Sequence, residues 1–204
     1  MTDPNAVRLF RLRCTYVEQG RLAMLSHLEV AHTLERTVRR AQLPFAVSQG
    51  FSPHMKISFG AALPVGVGST CEIFDIHLKD YVAPDVALAA LQKASVPDLM
   101  VCSCSYVEPK APAASVAFPI STYEVVFDHP IDGIEAPEAI EVVRKRKQKT
   151  LVVHDYLIEP FEVTGNRATF SLEAKPTGSL RPDVLLEHCS FEGAVASITR
   201  IAQR

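Results

Sequence analysis

Apolar and polar residues alternate near the start of the chain, where Phe10, Leu12, Cys14 and Tyr16 interleave with Arg11, Arg13 and Thr15. A period of two sends successive side chains to opposite faces, so this segment predicts a half-buried strand. After Gly20 the period changes, and Val30, Leu34, Val38 and Ala41 fall close to helical spacing on one face. Ser26 precedes that stripe with Glu29 three residues on, the pattern of a capping box, and Leu25 and Val30 bracket the cap as a hydrophobic staple. Pro44 stops the helix. Strands are predicted at 56–59 and 70–78, the second from Phe74, Ile76 and Leu78 alternating with Asp75 and His77. A helix opening at Pro84 runs through Leu88, Leu91 and Ala94, and 99–107 reads as a strand. The order is β-α-β-β-α-β, the split unit of ferredoxin-like folds.

Pro109, Pro112 and the small residues between 109 and 115 predict a linker. Beyond it the pattern partly repeats. Strands are predicted at 121–127, 152–163 and 167–174, the last two around Gly165 and Asn166, with a helix at 137–147. Arg181, Pro182 and Asp183 open another helix, and 196–201 supplies a closing strand. The predicted fold class is α+β, two ferredoxin-like (βαββαβ) halves with antiparallel sheets, divided as 1–108 and 116–204.

Composition narrows the picture little. The 204 residues are 48% hydrophobic and 22% charged, as in an ordinary globular protein long enough for one large core or two small domains. No apolar run reaches membrane-spanning length and the N-terminus carries no leader pattern, so a cytoplasmic protein without membrane association is expected. A net charge of -2 excludes a globally basic nucleic-acid binder while leaving room for a local basic face. The five cysteines, Cys14, Cys71, Cys102, Cys104 and Cys189, are scattered and read as reduced thiols. Cys102 and Cys104 are too close for a Cys-x-x-Cys metal hairpin, so no iron–sulfur or zinc motif is present and no metal site is predicted.

Local clustering carries the candidate chemistry. His32, Arg36 and Arg40 stand one helical turn apart with Arg39 beside them, either a solvated face or a phosphate-binding ridge. In the loop that follows, Ser48 offers a hydroxyl, Gly50 lets the main chain approach a ligand, Phe51 a stacking surface, and His54 and Lys56 add cations. Single-stranded nucleic-acid sites combine such parts. His27 opens the first helix, where the dipole disfavours a protonated ring, and beside Tyr16 or Ser26 it is a candidate general base. His27, His54 and Glu72 have no diagnostic metal-ligand spacing. The run from Arg144 through Arg146 to Lys149 is the strongest charge cluster, suited either to the end of a solvated helix or to phosphate. Arg181 is placed to face a ligand from a loop.

The segments Leu25-Ser26-His27-Leu28-Glu29, Glu35-Arg36-Thr37-Val38-Arg39-Arg40-Ala41 and Leu43-Pro44 occur in that order. They continue into Ser48-Gln49-Gly50-Phe51-Ser52-Pro53-His54-Met55-Lys56-Ile57-Ser58-Phe59 and Leu63-Pro64-Val65-Gly66, then Ser69 and Glu72. Over these residues the chain resembles the radical SAM-linked protein family, found beside or fused to radical SAM proteins. The resemblance implies a radical SAM partner that holds the iron–sulfur cluster and S-adenosylmethionine, with no cofactor in this chain. The resulting expectation is an RNA-binding or substrate-presenting accessory protein in RNA modification. The alternatives are an endoribonuclease-like RNA-processing enzyme using His27 and a protein–protein adaptor.

Overall fold

The computed structural model describes residues 9–144, 147–175 and 178–204. It is an α+β protein, mostly sheet, with four α-helices among the described residues. The chain forms two compact units, Met1–Ala62 with Cys71–Ala117, and Leu63–Thr70 with Phe118–Arg204. Among the described residues no helix is long and apolar enough to cross a membrane.

In the first unit the expected order is present: β1 (Phe10–Glu18), α1 (His27–Arg40), β2 (Ile57–Phe59), β3 (Gly68–Leu78), α2 (Pro84–Ala94) and β4 (Val101–Val107). The strands lie in the order β4-β1-β3-β2, with β1–β4 and β2–β3 antiparallel. The capping box forms as read, since Ser26 accepts from the Glu29 backbone and the Glu29 carboxylate accepts from the Ser26 N–H. Inward-facing Leu12, Cys14, Tyr16, Phe74, Ile76 and Leu78 meet Val30, Leu34 and Val38 of α1 and Ala87 and Leu91 of α2 in one core.

The other face of this sheet holds a buried ionic cluster. Asp75 has no exposed surface. Arg11 donates to its Oδ2 from Nε and Nη2 at 3.1 and 2.6 Å, and Arg13 donates to Oδ1 and Oδ2 at 2.7 and 3.0 Å. The same guanidiniums reach the 109–115 segment, Arg11 to the Ala111 and Pro112 carbonyls at 2.6 and 3.0 Å and Arg13 to the Pro112 carbonyl at 3.1 Å. The expected linker is thus tied down, and its residues run into a short helix, α3 (Ala114–Ala117), whose Ala114 is buried.

The second unit departs from the expected order. It runs β5 (Ile120–Phe127), β6 (Ala139–Arg144), β7 (Lys147–Val152), β8 (Leu157–Thr164), β9 (Arg167–Glu173), α4 (Pro182–His188) and β10 (Val195–Gln203). The helix expected at 137–147 is instead the β6–β7 hairpin, a separate two-stranded sheet. The physical reason is local: Ile140 and Val142 point inward and alternate with exposed Glu141 and Val143, and buried Ile140 faces buried Leu151 across the pair. Branched side chains with a period of two favour a strand here, although Glu, Arg and Lys are good helix formers. The main strands pair antiparallel as β10-β5-β9-β8, and β10 also pairs parallel with Gly68 and Ser69, the start of β3 that belongs to this second unit, so the pairing is mixed rather than purely antiparallel.

Burial pushes the Asp75 carboxyl up, but the hydrogen bonds and charges of Arg13 and Arg11 outweigh it and hold the group below its ordinary value. Replacing Asp75 by Ala leaves two covered guanidiniums without a counter-charge, and a loss of about 3–5 kcal/mol is expected in urea unfolding. The contribution of the lowered carboxyl is fully present above the unfolded value of about 3.9 and is lost as pH falls from there through the folded value. Asp75→Asn is therefore expected to flatten the stability–pH curve below about pH 4, measured by thermal unfolding across that range. An equally steep curve in the variant would place the acid sensitivity elsewhere.

Candidate functional site

The segment between α1 and β2 forms a loop with a closed neck. Val47 and Met55 make a β-bridge, the Ser48 N–H donates to the His54 carbonyl at 2.7 Å, and the His54 N–H donates to Ser48 Oγ at 3.0 Å. The Ser48 oxygen, a candidate ligand contact, thus also closes the neck. Below it, Ala46 donates to the His77 carbonyl, Lys56 to the Ala46 carbonyl and His77 to the Lys56 carbonyl, at 2.7, 2.8 and 3.0 Å. Met55 is buried in the core. The tip is the reverse: Phe51 is fully exposed, at 113% of its reference surface, and Ser52, Pro53, His54 and Lys56 are exposed with it. Gly50 sits at φ +130°, which L side chains rarely adopt, although a Cβ there would meet open space. Glycine is required by the turn rather than by crowding.

The helical ridge is only partly gathered to this loop. His32, Arg36, Arg39 and Arg40 are all exposed on α1, opposite its buried stripe. The Arg39 guanidinium lies 5.0 Å from the centre of the Phe45 ring, on the segment that leads into the loop neck. Arg40 turns elsewhere, lining an open depression of about 590 Å³ with Gln42, Lys93 and Ser95.

His27 is exposed at the first turn of α1, its ring edge-on to Phe59 with centroids 5.3 Å apart. It does not meet the expected partners. Tyr16 is buried against Phe74, and Ser26 is engaged by Glu29. His27 and Arg40, at opposite ends of a 14-residue helix, stand about 20 Å apart along its axis, too far to serve one small ligand. Among the described residues no three His, Cys, Asp or Glu side chains form a metal cluster, so His27, His54 and Glu72 do not make one.

The remaining candidates belong to the second unit. Arg144 lies at the end of β6, but its side chain, and Arg146 altogether, fall outside the described residues. Arg181 stands where the loop passes into a helix, as its sequence placed it. It is the residue before α4 and pairs with Asp183, with Nε 3.0 Å from Oδ1.

Two arrangements were missed in the sequence. One is the Arg11–Arg13–Asp75 cluster, whose arginines looked like solvent-facing alternation. The other is His77, where burial, the largest influence, keeps the half-buried ring below its ordinary value. Its Nδ1 has no hydrogen-bond partner among the described residues, while its backbone holds both strands of the loop neck. The alternation of 74–78 placed His77 on the face of Asp75, but no local signal tied it to the loop.

An α+β protein with an exposed aromatic on a pinned loop is the class that these observations define. The chain belongs to the DUF2344 family, described as an uncharacterized protein conserved in bacteria, whose model matches residues 11–182. That description names neither a reaction nor a partner. Among curated proteins none matches the chain.

Replacing Gly50 by Ala forces a side chain into a backbone conformation that disfavours it, at a cost of about 1–3 kcal/mol if the loop keeps its shape. Expected is a lower unfolding midpoint, or faster amide exchange confined to 48–54 if the loop yields instead. Wild-type values for both would show that the turn does not need glycine.

Proposed function

We propose that this chain is a non-catalytic RNA-binding protein that presents single-stranded RNA to a radical SAM enzyme. The observation that carries the reading is the complete exposure of Phe51 at the tip of a loop whose neck is fixed by hydrogen bonds. An unpaired base stacks on such a ring regardless of its identity, and nearby cations hold the backbone. His54 and Lys56 in the same loop, with Arg36 and Arg39 on α1, supply those cations. Phe51 stacks, Gly50 sets the turn that projects it, and the arginines neutralise phosphates. The radical SAM partner rests on the resemblance of the 25–72 motifs. A ferredoxin-like reading of the first unit is supported by its βαββαβ order and its β4-β1-β3-β2 arrangement.

One observation favours the adaptor reading instead. Met24 and Leu28, at 66% and 68% exposure, flank His27 with apolar surface suited to protein contact.

Phe51→Ala is expected to weaken binding of an unstructured RNA oligonucleotide about 5- to 160-fold, the equivalent of 1–3 kcal/mol per stacked base. The unfolding midpoint should stay unchanged because the ring packs against nothing. Arg36→Ala should lower the slope of log Kd against log salt by about 0.7, one phosphate contact on a single strand. Equal affinity of both variants and wild type would overturn the site. Capture of a radical SAM protein with no measurable RNA affinity would favour the adaptor.

A further inference from the structure

β1 and β4 run antiparallel with Cys14 directly opposite Cys104. Facing residues on such strands have Cα atoms about 4.5–5.5 Å apart, inside the roughly 4.4–6.8 Å that a disulfide spans. The two sulfurs lie 3.3 Å apart, one thiol donating to the other. One residue along, on the opposite face, Thr15 Oγ1 and Ser103 Oγ are hydrogen-bonded at 2.6 Å and hold the register. Among the described residues no three metal-ligating side chains cluster, so the pair stands as a dithiol and not as part of a larger ligand set.

The surroundings divide the roles. Cys14 is wholly buried among core residues including Leu12 and Val101, whereas Cys104 lies at the core's partly exposed margin. The shared hydrogen bond, and then burial, pushes the Cys14 thiol well above its ordinary value, while accepting that bond draws Cys104 down in spite of burial. The thiolate therefore forms on the sulfur nearer solvent, and the proton stays on its neighbour. Cys189, by contrast with Cys104, is pushed up to about 11 by burial and is a poor first nucleophile toward a peroxide.

We propose that Cys14 and Cys104 are a reversible redox site, oxidised by hydroperoxides to a disulfide that staples β1 to β4. The Cys104 thiolate attacks one oxygen of the hydroperoxide. An S–O bond forms, the O–O bond breaks, and the departing alkoxide or hydroxide takes a proton from solvent. The Cys14 sulfur then attacks the resulting sulfenic sulfur. An S–S bond forms, the S–O bond breaks, and hydroxide leaves with the Cys14 proton as water. Two thiols lose two electrons and two protons, and the hydroperoxide is reduced to an alcohol, or to water, plus one water. A small-molecule dithiol reverses the step by exchange, attacking the more accessible Cys104 sulfur.

The test treats the full chain with a stoichiometric amount of hydrogen peroxide and follows intact mass, free thiols and a non-reducing peptide map. The expected result is the loss of two hydrogen masses and two thiols, a peptide joining Cys14 to Cys104, and full reversal by dithiothreitol. Thermal unfolding of the oxidised chain should shift up by roughly 5–10 °C, as a long-loop disulfide predicts. A variant carrying Cys71→Ala, Cys102→Ala and Cys189→Ala should behave identically, and the wild-type map decides the matter should that variant not fold. Thiols that survive peroxide, a Cys104 sulfinic acid without a crosslink, or a Cys102–Cys104 link would each overturn the proposal.

Discussion

The buried Asp75 carboxylate constrains everything around the loop. A carboxylate with no exposed surface is tolerable only when its oxygens are fully engaged, and four N–H donors from Arg11 and Arg13 do this. Those arginines are two residues apart on one strand, so a single face of β1 delivers both. Three further N–H groups of the same guanidiniums take the Ala111 and Pro112 carbonyls, which lays the 109–115 segment over the polar face of the sheet. The sheet of the first unit is therefore covered on both sides by different physics, with helices over an apolar face and a short segment over an ionic one.

The register of β3 follows from the same cluster. A one-residue slip would drive Asp75 into the apolar face among Phe74, Ile76 and Leu78 and carry those side chains out of it. Register in turn positions His77, two residues further on, whose N–H and carbonyl hold Lys56 and Ala46 at the loop neck. The chain from Asp75 to Phe51 is thus continuous: an ion cluster fixes a strand, the strand fixes a neck, and the neck projects a ring into solvent. Such a ring forgoes the roughly 1.5–3 kcal/mol that burial would supply, although the core lies only four residues away at Met55.

Much of the first unit was legible because its signals are local. Ser26 and Glu29 announce the cap, Val30, Leu34 and Val38 the buried stripe, and Phe74, Ile76 and Leu78 the strand. What stayed hidden depends on distant partners. Alternation shows that Arg11 and Arg13 share a face, but not that a segment about a hundred residues later covers it. Helical spacing put His32, Arg36 and Arg40 in line, but only tertiary packing sends Arg39 toward Phe45 and Arg40 toward α2. Cys14 and Cys104 were read as scattered because strand pairing, not sequence spacing, sets them face to face. At 137–147 two local signals conflicted, helix-forming Glu, Arg and Lys against alternating Ile140 and Val142, and burial of Ile140 opposite Leu151 decided for a hairpin.

The spread of the cations bears on the kind of ligand the loop would meet. A mononucleotide is best held by charges converging on one phosphate, ideally through a bidentate guanidinium. Here Arg39 is engaged with Phe45, Arg40 turns to a separate depression, and His32 and Arg36 lie exposed further up the helix. Charges distributed along a helix face, together with a projecting aromatic elsewhere in the same unit, suit a polymer that brings many phosphates and one free base. On the proposed reading the affinity is therefore the sum of weak, separately screened contacts plus one stacking interaction. Such a sum favours any single strand that can reach Phe51, which leaves sequence discrimination to whatever else binds the same strand.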